Sequence, residues 1–192
     1  MSTVVYVPRD AAALALGAEQ VAQAIAAQAQ KSGVAVTIKR NGSRGLYWLE
    51  PLVEVETPQG RVAYGPVSVR DVAGLFTAGF LSGKAHALFL GATAQHPYLI
   101  RQKRLTFARV GVTDPVNLSD YLAHGGYQGL RNALGMEPAQ IVQCVTDSGL
   151  RGRGGAAFPT GIKWRTVLDT AATQKYITCN ADEGDSGTYA DR

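Results

Sequence analysis

The chain has 192 residues, 46% hydrophobic and 18% charged, with a net charge of +4 and a pI near 9.2: the make-up of a folded protein of one large or two small domains. The basic excess is small and spread along the chain, which suits phosphate-bearing ligands but does not by itself argue for nucleic acid. Only two cysteines occur, Cys144 and Cys179, with no CxxC and no His/Cys cluster, which excludes a disulfide framework and a cysteine-built metal site. The opening MSTVVYVPRD lacks the basic start and apolar run of a signal peptide, and no apolar run reaches bilayer length, so the expectation is a soluble cytoplasmic protein without membrane insertion.

In chain order, Thr3–Val7 reads as a short buried strand. Ala11–Lys31 is rich in alanine, leucine and glutamine, with Val21 and Ile25 four apart on one face, and predicts a helix stopped by Gly33. Val34–Ile38 reads as a second strand. Leu52–Glu56 alternates apolar and acidic residues, as a half-exposed strand would; Pro58-Gln59-Gly60 turns the chain into a returning strand, Arg61–Tyr64. Ser68-Val-Arg-Asp71 resembles a capping box opening a helix through Ala73, Leu75, Phe76 and Phe80. The order β-α-β, hairpin, helix predicts a compact α+β module of the thioredoxin type, taken as residues 1–90.

Residues 91–135 are read as connector and lead-in helices. This region carries His96-Pro97, a basic patch of Arg101, Lys103 and Arg104, a predicted strand over Leu105–Val110, and a turn at Asp114-Pro115. Short helices follow near Leu118–Ala123 and Tyr127–Leu134, separated by Gly125-Gly126. Pro138 suits the first turn of a helix whose inner face holds Ile141, Val142 and Val145 and which Gly149 ends. A further helix is predicted over Ile162–Leu168, then a strand over Lys175–Cys179. Residues 136–192 thus read as the first part of an α/β nucleotide-binding domain, with ligand groups at the carboxyl end of its strand. A parallel domain begun near residue 136 has only one clear strand by residue 192 and could not cover it on both faces, so the sequence is expected to belong to a longer polypeptide.

Two clusters carry the chemistry. Residues 149–164, Gly-Leu-Arg-Gly-Arg-Gly-Gly-Ala-Ala-Phe-Pro-Thr-Gly-Ile-Lys-Trp, mix glycines that let backbone amides approach a ligand with Arg151, Arg153 and Lys163. That combination describes a cradle for a phosphate-bearing cofactor. The spacing matches neither the dinucleotide fingerprint nor the P-loop. The competing readings are a flexible inter-helix turn and, from Arg-Gly-Arg-Gly-Gly, an RNA-binding segment, although only one copy is present. Phe158 could stack on a nicotinamide or adenine ring or fill the core. The second cluster, Asn180-Ala-Asp182-Glu183-Gly-Asp185, follows the predicted strand directly and could hydrogen-bond a ribityl chain, a ring edge or an amide; its plain alternative is a solvated acidic turn.

GLRGRGGAAFPTGIKW followed by CNADEGDSGTYADR resembles the family of flavin-bearing, NADH-oxidising subunits. That family includes the F subunit of NADH:quinone oxidoreductase, the diaphorase subunit of NAD-linked hydrogenases and the beta subunit of molybdenum-dependent NAD-linked formate dehydrogenase. Asp114-Pro115, Tyr121 and Gly125-Gly126-Tyr127 match its lead-in, so the resemblance covers roughly residues 96–192. The Gly184-Asp-Ser-Gly187 version of the acidic loop looks closest to the formate dehydrogenase subunit. The resemblance implies an α/β fold with a Rossmann-like FMN-binding domain. It implies that Gly152, Arg153, Gly154, Gly155, Lys163, Asn180, Asp182 and Glu183 lie against FMN, and that Phe158 and Asp185 face NAD. It assigns no residue as a general acid or base and no metal ligand to these positions. Departures from the common pattern are Ala157 for a glycine, Asp185 for a glutamate, Ser186 for a proline, Ala190 for a lysine and Thr166 for an aromatic. Residues 42–47, Gly-Ser-Arg-Gly-Leu-Tyr, resemble the cysteine segment of the thioredoxin-like [2Fe–2S] domain that partners these flavoproteins, with Ser43 and Tyr47 where cysteines would stand. Neither supplies the thiolate a cluster needs.

The resulting expectation is an oxidoreductase subunit that passes hydride between NAD(H) and FMN in an NAD-dependent formate dehydrogenase. Its partners would be iron–sulfur and molybdenum-containing subunits of a soluble complex, with no nucleic acid, and [4Fe–4S] ligands would come only from sequence beyond residue 192. The alternatives are the equivalent flavin subunit of an NADH:quinone oxidoreductase or NAD-linked hydrogenase, and a structural or RNA-binding subunit with a vestigial loop.

Overall fold

A computed structural model describes residues 2–105, 107–153 and 156–179. They fall into two compact units, Met1–Gly126 and Tyr127–Arg192.

The first unit is built on a five-stranded sheet in the order β2-β1-β3-β4-β5, from β1 (Thr3–Tyr6), β2 (Val36–Lys39), β3 (Val53–Thr57), β4 (Gly60–Tyr64) and β5 (Phe89–Ala92). β1 runs parallel to β2 and antiparallel to β3, with Val5 opposite Val55. β3 and β4 form the predicted hairpin, Val53 opposite Tyr64 and Thr57 opposite Gly60. Strands β2-β1-β3-β4 in these directions form a thioredoxin-like sheet, extended at the β4 edge by β5.

The helix predicted over residues 11–31 divides into α1 (Ala11–Ala15) and α2 (Ala18–Lys31). The cause is Gly17, whose φ of +93° no helix accommodates. α2 turns Ala18, Val21, Ala22, Ile25 and Ala29 onto the sheet. It stops as expected: Gly33 takes φ +65°, its N–H donates to the Gln30 carbonyl, and the Val34 N–H reaches back to Ala29, a Schellman closure. Ser68 and Asp71 form the anticipated capping box, opening a short 3-10 turn that leads into α3 (Val72–Ala78). Gly79 ends α3 before Phe80, so that Phe80 reaches the core from the following turn and packs edge-on against Tyr64, ring centroids 5.8 Å apart.

Two expectations for the connector are corrected. A strand, β5, forms across its start at Phe89–Ala92, and no strand forms among the described residues of Leu105–Val110. The edge of β4 is occupied by β5, and the 107–113 segment turns on itself, with Val110 N–H donating to Phe107 and Val112 N–H to Arg109. Leu105 is left 86% exposed.

The module also buries charge. Glu54 on β3 is fully buried and is gripped by Arg44 through two hydrogen bonds, Nε to Oε1 at 2.9 Å and NH2 to Oε2 at 2.8 Å. Asn41 donates to Glu54 and to the Gly111 carbonyl, Arg61 to the Val112 carbonyl, and Arg104 to the Arg44 carbonyl, so the 104–112 segment is tied down over this carboxylate. Glu50, also buried, has no cation in contact among the described residues, where it accepts from Ser43 Oγ at 2.9 Å and Leu52 N at 2.8 Å. Burial pushes its carboxyl above the usual glutamate range, against the opposing pull of those two hydrogen bonds. A folded-state value above the unfolded one means that stability is fullest at acid pH and falls as pH rises through the folded value. Glu50→Gln, whose amide oxygen can still accept from Leu52 N while its NH2 donates to the Ser43 hydroxyl, removes the charge and is therefore expected to be more stable than the parent near neutral pH, the gap closing as pH falls toward ~4. Urea unfolding followed by Trp48 fluorescence in a Trp164→Phe background checks this; a gap that widened with acid would refute it.

α4 (Leu118–Ala123) is the last helix of the first unit, and the described residues of the second form α5 (Gln128–Ala133), α6 (Pro138–Asp147) and α7 (Thr160–Asp169). Pro138 sits in the first turn of α6, which Glu137 and Gln140 close as a capping box. Gly149, at φ +66°, follows its end. α7 starts two residues earlier than predicted, and α6 and α7 pack against each other where Gly161 meets Thr146. The strand expected over Lys175–Cys179 is not formed: Tyr176 is 85% exposed and Ile177 fully so. A strand needs a neighbouring ladder, and the described residues of this unit contain none. Lys175 instead donates to the Val167 and Leu168 carbonyls and caps the end of α7.

Candidate functional site

The glycine loop lies between α6 and α7 and is closed at its mouth by backbone pairing. Gly152 N–H donates to the Phe158 carbonyl at 2.9 Å and Thr160 N–H to the Leu150 carbonyl at 2.9 Å, and Arg151 bridges Pro159 in antiparallel fashion. Arg151 Nε donates to the Ala157 carbonyl at 2.7 Å, so this guanidinium braces the loop. Ala157 takes φ +45°, a left-handed conformation that costs an alanine about 1–2 kcal/mol and a glycine nearly nothing. The position where the resembling family carries glycine is thus one where the backbone calls for it.

The closed mouth delivers the chain into the start of α7. Pro159 is the N-cap and no side chain caps the helix. Thr160 N–H is spent on Leu150, but the amides that follow it in the first turn have no partner inside the helix and carry the positive end of its dipole, so such a start favours an anion. Lys163 lies in the first turn, with Nζ 5.6 Å from the centroid of the Phe158 ring. Arg153 is exposed on the loop and Phe158 is about half exposed. Gly152, Arg153, Phe158 and Lys163 therefore stand together around one loop and one helix start. Gly154, Gly155, Asn180, Asp182, Glu183 and Asp185 lie outside the described residues.

Two contributors were not singled out from the sequence. One is the brace supplied by Arg151, which depends on where the Ala157 carbonyl falls and leaves no sequence signal. The other is the helix start at Thr160–Ile162, which Pro159 immediately before Thr160 could have signalled.

At the N-terminal module, Ser43 Oγ donates to Glu50 and accepts from the Gly45 N–H, while Tyr47 stands exposed on a short 3-10 turn. Among the described residues no group of His, Cys, Asp or Glu is arranged to hold a metal ion, and no helix is long and apolar enough to cross a membrane.

Residues 145–192 match the Nuo51 FMN-binding domain family. The chain is 54% identical over 85 residues to the NADP-reducing hydrogenase subunit HndC of Solidesulfovibrio fructosivorans, covering 44% of this chain and 17% of that protein. It is 56% identical over 84 residues to the F 2 subunit of NADH-quinone oxidoreductase of Rhizobium meliloti (strain 1021), covering 43% of this chain and 20% of that one. The chain thus spans a fifth or less of the length of these curated relatives. Among solved structures, a thioredoxin-like [2Fe–2S] ferredoxin from Aquifex aeolicus overlays half of this chain and 96% of its own, with 21% identity and a TM-score of 0.42. The chain is thus similar to the Nuo51 FMN-binding domain family over residues 145–192, and over 84–85 residues to an F subunit of NADH-quinone oxidoreductase and to a hydrogenase subunit.

Proposed function

We propose that this chain is part of an FMN- and NAD-binding oxidoreductase subunit, and that loop 150–159 with the start of α7 holds the FMN phosphate. The observation that carries the reading is the meeting, in a segment matching an FMN-binding family, of an uncapped ten-residue helix start with Lys163 and the exposed Arg153. This donor set fits a phosphate: backbone N–H groups and cations, with no carboxylate among the described residues from Leu150 to Leu168. Gly152, Arg153, Gly154, Gly155 and Lys163 would take the phosphate end of FMN, and Asn180, Asp182 and Glu183 its ribityl and ring portions. Phe158 and Asp185 would face the nicotinamide nucleotide. When bound, FMN supplies the redox chemistry, accepting or giving hydride at NAD(H) and exchanging electrons with iron–sulfur centres; the residues here bind and orient. At the finer level we assign the subunit to an NAD-dependent formate dehydrogenase, in which electrons from formate would reduce NAD+, with molybdenum- and cluster-bearing partner subunits. The hydrogenase and quinone-reductase versions of the same subunit are the alternatives.

Lys163→Glu in the full chain tests the phosphate assignment. Losing a charge-assisted contact of about 1.5–3 kcal/mol, and adding repulsion, is expected to weaken FMN binding by roughly tenfold or more. Flavin fluorescence titration measures it, with Lys31→Glu on the far end of α2 as the charge-matched control. Undiminished FMN occupancy in Lys163→Glu would remove the assignment.

A further inference from the structure

We propose that the Trp48–Tyr98 face of the N-terminal module, with Arg101 and Lys103 beside it, is a docking surface for an acidic face of a partner protein. The proposal does not depend on the flavin reading.

Two turns build the face. The 96–102 turn is closed by Leu99 and Ile100 amides donating to the His96 carbonyl, and it is anchored by Leu99, which packs on the buried cluster of Leu46, Leu52 and Ala63. Anchoring through Leu99 leaves Tyr98 48% and Ile100 57% exposed. The neighbouring 47–49 turn presents Trp48, 58% exposed, and the two rings meet edge to face at 5.2 Å. A paired tryptophan and tyrosine held on anchored turns offer a large contact area at little cost in side-chain entropy, the composition of interface hot spots.

The charge beside them decides what fits. Between Val72 and Thr113 the sequence has five lysines and arginines and no acidic residue. Arg104 is occupied, its guanidinium donating to Gln102 and to the Val110 and Arg44 carbonyls. Arg101 and Lys103 are exposed and make no ion pair among the described residues. An exposed aromatic pair on a turn whose chain runs on into Arg101 and Lys103, cations without counter-ions among the described residues, is complementary to an apolar patch edged with carboxylates, which it would both steer and hold. A single strand of nucleic acid would also meet cations and rings. But its bases stack on exposed parallel faces, and here the two rings stand at 88° with the edge of one against the other.

Trp164→Phe leaves Trp48 as the sole tryptophan, a reporter inside the face. The full-chain variant is titrated with a short peptide alternating glutamate with leucine and phenylalanine, with its lysine-for-glutamate counterpart, and with oligouridine, while sedimentation follows self-association. Expected is a saturable change in Trp48 emission with the acidic peptide alone. It should weaken roughly fivefold or more in Arg101→Glu/Lys103→Glu and weaken as salt rises. Both substituted side chains are exposed, so an unchanged urea midpoint shows that the variant is folded. No saturable change with the acidic peptide, equal binding of the lysine counterpart, tighter binding of oligouridine, or a dimer abolished by Tyr98→Ala would each overturn the proposal.

Discussion

Arg44→Ala is expected to destabilise the Met1–Gly126 unit by about 3–5 kcal/mol, the cost of stranding a buried carboxylate. Glu54 is fully buried and both its oxygens are taken by Arg44. Its other cation, Arg61, stands 3.9 Å away and is committed to the Val112 carbonyl. With Arg44 gone, Asn41 remains as a single donor at 3.3 Å, too little to solvate a charge in the interior. The loss reaches further than one pair, because the Arg44 side chain also packs against Gly111, on the segment tied over the carboxylate. The double variant Arg44→Met/Glu54→Leu separates the two contributions. Replacing a buried pair by apolar groups of similar volume removes the desolvation cost along with the attraction and is expected to fall well short of the single variant. Because Trp48 and Trp164 lie one in each unit, urea unfolding followed at Trp48 in a Trp164→Phe background reports on this unit alone. A loss under about 1 kcal/mol in Arg44→Ala would mean that water reaches Glu54 and that the pair is a surface interaction.

The same carboxylate marks where the sequence stops being readable. The alternation in Leu52-Val53-Glu54-Val55-Glu56 is that of a strand with one wet face, and the strand and its hairpin are where the pattern puts them. Yet Val53, Glu54 and Val55 are all buried. The face assigned to water is covered by Arg44 and Arg61 and by a connector more than 50 residues downstream that reaches it through Gly111. Periodicity records which side of a strand is polar, not what later folds over it. Short-range signals were readable for the opposite reason: the Ser68–Asp71 capping box and the Gly33 helix stop are satisfied within a few residues. β5 was missed because Phe89-Leu-Gly-Ala offers no alternation, and only the open edge of β4 makes it a strand. At the candidate site, the sequence identified the residue types around the loop. That Arg151 is spent as a brace, and that the anion-favouring helix start lies at Thr160, depend on backbone paths that residue types do not encode.

The second large effect is expected at Gly161. Alanine normally gains about 1 kcal/mol over glycine inside a helix, so propensity alone predicts that Gly161→Ala stabilises α7. Packing predicts the opposite, and packing outweighs propensity here. A Cβ at residue 161 would sit 2.6 Å from the Thr146 Cα, with the Thr146 side chain nearer still. The obstacle is backbone in the last turn of α6, held there by its helical hydrogen bonds, so α7 must move away as a whole. Overpacking of this kind costs about 1–3 kcal/mol or more, enough to reverse the propensity gain. Gly129 on α5 is the control: nothing lies within 4 Å of where its Cβ would be, so Gly129→Ala should keep the gain. Unfolding followed at Trp164 in a Trp48→Phe background should therefore move in opposite directions for the two alanines. The functional consequence follows from the same displacement, because Lys163 and the first amides of α7 are carried by the helix that must shift. Gly161→Ala should also weaken FMN binding, and Gly129→Ala should not. If both variants were equally stable, the close approach of α6 and α7, and with it the placement of the helix start against the loop, would be wrong.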